Sequence, residues 1–114
     1  MQLITNEFHE RLLANGRRTA DGEDHDPAPV VKLFTPDASA TWLLTELDPV
    51  EPDRAFGLCD LGLGFPELGY VSLAELVQVR GPLGLRVERD LGFVAQQPIS
   101  VYAREARMAG FIRT

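Results

Sequence analysis

The stretch from Ala55 to Leu76, AFGLCDLGLGFPELGYVSLAEL, admits few readings other than strand, glycine-rich turn, strand and helix start. Four of the six residues Phe56–Leu61 are apolar and their alternation is broken, as suits a central strand buried on both faces. Gly62 and Gly64 supply backbone freedom for a turn, and Pro66 fixes φ just beyond it. Leu68, Tyr70 and Val71 read as a short strand. Ser72-Leu-Ala-Glu75 has the form of a capping box, in which hydroxyl and carboxylate each satisfy a free backbone N–H. The pattern specifies a fold and is silent on a reaction.

The flanking segments complete an order of elements. Leu3, Ile4, Phe8 and Leu12 share one face of a helix over residues 2–14, with Asn15-Gly16 as its stop. Residues 16–29 are polar, contain Gly and Pro, and lack an apolar period, which predicts a mobile loop. Val30–Phe34 and Thr41–Leu47 are strand candidates joined by the turn residues Thr35–Ser39, so a hairpin is expected. Asp48–Asp53, with two prolines among acids, is an exposed connection. Arg80-Gly81-Pro82-Leu83-Gly84 stops the helix begun at Ser72. Arg86–Val94 predicts a further strand with Val87, Arg89, Leu91 and Phe93 on one side. Pro98 suits the first turn of a helix over Ile99–Gly110, with Val101, Tyr102, Ala106 and Ala109 as its buried stripe. The expected class is α+β: a single antiparallel or mixed sheet of four to five strands, an N-terminal helix, a short middle helix and a C-terminal helix. At 114 residues the chain suits one domain, 1–114.

Charge narrows the function classes. The formal charge of −6 is uneven. Residues 35–75 carry eight acids against one base, Arg54, whereas residues 76–114 carry six arginines against three acids. Direct binding to duplex nucleic acid is not expected, because cations at phosphates supply that affinity. The acidic middle suits a partner with a basic surface, and it equally suits plain solubility. No apolar run approaches the ~20 residues that span a bilayer. The N-terminus has no basic region ahead of a cleavable apolar segment. One cysteine, Cys59, excludes an internal disulfide, fits a reducing cytoplasm, and sits in an apolar strand as a buried inert thiol.

The phrases KLFTPDASATWLLTELDP, AFGLCDLGLGFPELGYVSLAEL and VERD are similar to the domain-of-unknown-function family numbered twenty-nine fifty-eight, over roughly Val30 to Ala109. The resemblance implies a small acidic protein of bacterial plasmids and integrative elements. It carries no agreed activity and no catalytic residues. Elements of that kind commonly encode accessory proteins that blunt host restriction or CRISPR defence, an analogy from setting alone.

Among the acids, Glu46 and Asp60 would lie near one sheet end if their strands pair, with Glu67 close by. Carboxylates so placed can share a proton or hold a divalent cation, and they can also simply solvate strand ends. Ser39 and Ser72 lack a G-x-S-x-G frame, His9 and His25 have no partner set, and the glycines spell no phosphate loop. No catalytic residue, metal ligand or cofactor is therefore assigned. The residues expected to meet a partner are Glu46, Asp48, Asp60, Phe65 and Glu67, with Phe65 and Glu67 flanking the stiff Pro66. Phe65 is open to two readings, a ring in the core or a ring offered to a partner. Two functions are weighed: a non-enzymatic accessory protein that binds a basic protein surface, and a small metal-dependent hydrolase or nucleotide-processing enzyme using clustered carboxylates.

Overall fold

The computed structural model describes residues 2–114. Its elements in chain order are α1 (Asn6–Ala20), β1 (Val31–Phe34), β2 (Thr41–Leu47), β3 (Arg54–Asp60), β4 (Glu67–Ser72), α2 (Leu73–Gln78), β5 (Glu88–Arg89) and α3 (Ile99–Ala109). The strands form one antiparallel sheet in the order β4-β3-β2-β1-β5. This is the α+β class, with the three helices where the sequence places them and five strands in one sheet.

Alternation along the central strands sends side chains to two separate cores. Trp42, Leu44, Leu47 and Ala55 join Leu12 and Leu13 of α1 on one face. Leu43 and Leu58 join Ile99, Tyr102, Ala103 and Ala106 of α3 on the other. A strand buried on both faces needs apolar residues at successive positions, which is why β2 reads TWLLTEL without a clean period. Between Leu44 and Glu46 the register with β3 slips, and the buried Thr45 hydroxyl donates to Phe56 O at 3.2 Å.

Four boundaries differ from expectation, each for a local reason. Helix α1 starts at Asn6, where Thr5 caps it by accepting from Phe8 N at 3.2 Å, and it runs through Asn15-Gly16 to Ala20. Gly16 is present for close packing: a Cβ there would stand 1.8 Å from Leu47 O. Asn15-Gly16 is therefore no helix stop, because this glycine sits inside the helix to admit a strand carbonyl. Residues 16–20 of the expected loop are accordingly helical.

The rest of that segment is tied to α3. Pro98 makes no side-chain cap, and the Asp26 carboxylate does so instead, accepting from Ser100 N at 3.1 Å and from the Ser100 hydroxyl. Pro27 O accepts from Ile99 N at 3.0 Å. The expected strand Arg86–Val94 reduces to Glu88–Arg89, because Asp90 turns the chain by accepting from Gly92 N at 2.9 Å. In α3 the buried stripe is Ile99, Tyr102, Ala103 and Ala106. Val101 is half-buried and Ala109 exposed, and Gly110 closes the helix at φ 85°. No helix among the described residues is long and apolar enough to cross a membrane.

Candidate partner-binding site

Strand β4 is the outermost strand on its side of the sheet, and the turn that feeds it carries the most exposed aromatic ring. Residues 61–66 connect β3 to β4. Gly62 has φ 80° and its Cβ would stand 2.8 Å from Ser39 Cβ, while Gly64 has φ 89°. Both conformations are unfavourable for other residues, so these glycines set the turn's shape. The buried Pro66 anchors the turn, and Leu61, Leu63 and Phe65 point outward, Phe65 with 80% of its surface exposed.

Asp60 roots this turn from inside. It is 3% exposed, accepts from Gly62 N at 2.8 Å and accepts from Ile112 N at 3.0 Å. A carboxylate so buried and so engaged holds the fold and cannot meet a partner, which corrects its assignment to the contact surface. It also lies far from Glu46. Asp60 pairs with Thr41 and Glu46 with Phe56, four positions apart on β3, or about 13 Å at the usual strand rise. The expected convergence at one sheet end does not occur. Ligand distances to a shared cation are near 2.0–2.6 Å, so these two carboxylates cannot hold one. Among the described residues no group of three or more His, Cys, Asp or Glu is placed to hold a metal.

The other assigned acids divide by place. Asp48 caps its own turn, accepting from Val50 N at 2.8 Å and Glu51 N at 3.2 Å, and those two amides hold its carboxyl below the usual range. Glu46 accepts from the Thr19 hydroxyl at 3.1 Å, and with Asp48 it borders a small cleft that also touches Arg54 and Tyr70. Glu67 pairs with Cys59 at the opposite end of β4 and is exposed. Phe65 and Glu67 therefore mark one end of the edge strand, and Glu46 and Asp48 lie near the other.

Between them runs an open groove of about 780 Å³. Trp42, Leu61, Val71, Leu76 and Val79 form its apolar wall. Glu51, Asp53 and Glu75 form an acidic one, with Arg54 as the one cation in the lining. That cation is already engaged, its guanidinium lying 3.9 Å from the Tyr70 ring centroid. Phe56 meets Tyr70 edge-on at 5.0 Å. Tyr70 is thus an exposed plate held from two sides, flanked on β4 by the half-exposed Leu68.

Asp53 fixes the junction of β4 and α2. Its carboxylate accepts from the Ser72 hydroxyl at 2.6 Å and from Ala74 N at 2.8 Å, which together hold it below the usual carboxylate range. Ser72 does cap α2, accepting from Glu75 N at 3.2 Å, but the carboxylate beside it belongs to Asp53, not Glu75. Cys59 is half-buried, and burial pushes its thiol up to about 11, leaving it protonated and unreactive near neutral pH. Sequence reasoning missed Arg54, Leu61, Leu63 and Leu68 as surface residues. The available signal was that β4 passes straight into a helix with no later strand beside it.

A family model described as "Protein of unknown function (DUF2958)" matches residues 3–113. The resemblance read from Val30 to Ala109 is corrected in extent, since the match takes in α1 and the segment after it. It is corrected in content as well. The family description states neither a genomic setting nor an activity, so the plasmid and integrative-element setting is no part of what the match shows. No curated protein matches, and no solved structure matches.

Proposed function

We propose, for a chain that belongs to the DUF2958 family, a non-enzymatic role in binding a protein through β4 and the turn at residues 61–66. One observation carries this reading: exposed Leu61, Leu63, Phe65, Leu68 and Tyr70 lie on one edge strand and its turn, beside a groove walled by acids. Apolar side chains scattered singly on a surface need no explanation, but five on one strand and its turn mark an interaction site. Tyr and Phe held on rigid elements are favoured anchors, and Glu51, Glu67 and Glu75 around them favour a partner with a basic surface.

The finer reading is an accessory protein of a mobile element that inhibits host restriction or CRISPR defence by covering a basic nucleic-acid-binding surface. Its support is the acidic middle of the chain. The hydrolase reading loses the convergence of Glu46 and Asp60 that motivated it.

Capture from cell extract with a photo-cross-linking residue in place of the exposed Leu63 tests the reading. The chain with Phe65 and Glu67 intact should recover a protein with a basic surface, and Phe65→Ala with Glu67→Ala should lose it. The same double variant should keep its stability within about 0.5 kcal/mol, as exposed positions do. Equal recovery by the double variant sinks the proposal. So does the absence of any captured protein together with no effect on restriction or CRISPR interference.

A further inference from the structure

We infer that the partner adds to β4 as a sixth strand, through an extended segment in which lysines or arginines alternate with apolar residues. The inference rests on the protein-binding reading above and specifies how the partner is held. Strand β4 pairs on its inner side with β3, from Arg54↔Ser72 to Cys59↔Glu67 without a bulge. Beyond that ladder, no main-chain hydrogen bond to the Glu67–Ser72 backbone is made among the described residues. Its outward N–H and C=O groups are therefore free to extend the sheet. Natural edges are usually blunted by proline, lysine, a bulge or brevity. This one has six residues and none of the first three.

Gly69 supplies an independent observation. It sits in the middle of β4, has no positive φ, and a Cβ there would meet nothing within 4 Å. Its ladder partner Gly57 differs, since a Cβ there would stand 2.0 Å from Leu43 O. The chain's own packing demands the glycine in β3 and gives no reason for the one in β4. A glycine inside a strand marks a place where another backbone or a ligand approaches closely.

Charge selects the occupant. Glu67 stands at the start of the strand, and Glu51 and Glu75 stand beside the groove at its other end. A second copy of β4 would bring its own Glu67 and neighbouring acids against these, and like charges across a strand pair repel. Lysine or arginine at alternate positions of an incoming strand meets opposite charge instead. The apolar residues between them fall on the opposite face, beside the exposed Leu68 and Tyr70.

The test titrates the full chain with a ten-residue peptide of alternating Lys and Val. Controls are the same peptide N-methylated at two adjacent central residues, which blocks both its edges, and a Glu–Val peptide. Trp42, the one tryptophan, lines the groove and reports occupancy by its fluorescence. The expected result is binding by the Lys–Val peptide with slowed exchange of alternate amides in β4. N-methylation should weaken binding at least tenfold. Gly69→Val should do the same without lowering the unfolding midpoint. Equal binding of the plain and N-methylated peptides overturns strand addition while leaving an acidic docking surface in place. No binding by either peptide, with the cross-linked cellular protein still captured, also overturns strand addition alone. Equal binding of the Lys–Val and Glu–Val peptides overturns both readings. A sedimenting dimer whose β4 amides are protected before any peptide is added overturns the partner in favour of a second copy.

Discussion

The two edges of this sheet end in opposite ways. At one edge, β5 is two residues long, and Asp90 turns the chain away directly after it. Its Arg89 guanidinium donates to Gln2 O at 2.9 Å and Leu3 O at 2.8 Å, drawing the segment before α1 across that side. Lys32 and Asp90 add an ion pair at 3.3 Å. At the other edge, β4 offers six residues in unbroken register, with an exposed tyrosine and an open groove alongside. One chain thus shortens and covers one edge and leaves the other uncovered. An open edge that its neighbours do not protect is a hazard unless it has an occupant.

Four experiments sharpen or break that contrast. The largest effect is expected at the paired glycines. Gly57→Val drives a side chain into the Leu43 carbonyl and should destabilise by about 3 kcal/mol or more, as severe overpacking does. Gly69→Val meets open space and should be neutral or stabilising. Urea unfolding of the two variants measures the difference, and a comparable loss from both would mean β4 is packed like an interior strand.

Asp60→Ala leaves the Gly62 and Ile112 amides without their acceptor and should cost about 2 kcal/mol. Exchange of amides in the turn before β4 should rise while those of β5 hold. Arg89→Ala removes the two bonds over β5 and should cost about 1 kcal/mol. The variant should also self-associate more readily in sedimentation, and a strictly monomeric one would show that Arg89 does not guard the edge.

The smallest effect concerns pH. The Ser72 hydroxyl and then the Ala74 amide hold Asp53 below its ordinary value, so the folded state binds this proton less readily than the unfolded state. Its contribution is present above the ordinary aspartate value, about 4, and is lost as pH falls through the lower folded value. The protection of the Leu73 and Ala74 amides, relative to their intrinsic exchange rates, should therefore fall in acid, and Asp53→Asn should flatten that dependence.

How far these features were legible varies with how local their cause is. The hairpin strands, the Ser72 cap and the helix after Pro98 follow from neighbouring residues and were readable. Gly16 was not, because its reason is a carbonyl thirty-one positions away at Leu47. The cap of α3 was hidden for the same reason, since Asp26 reaches Ser100 across 74 positions. For the site, Phe65 and Glu67 stood out through Pro66 and the flanking glycines. Asp60 and Glu46 looked alike on paper, and only strand register separates them, one in the interior and one at the far end. The exposure of Leu68 and Tyr70 depends on strand order, which local alternation cannot express.

The bond from Ile112 N to Asp60 bears on the order in which the molecule is made. During synthesis Asp60, the root of the β3–β4 turn, leaves the ribosome 52 residues ahead of the amide that completes it. Until then the Asp60 carboxylate keeps its water, and the turn that presents Phe65 has no fixed base. The proposed binding edge is thus set only after every strand of the sheet has been made. A nascent chain cannot offer that edge in final form to other nascent strands, which limits mispairing at the stage when an open strand is most exposed to it.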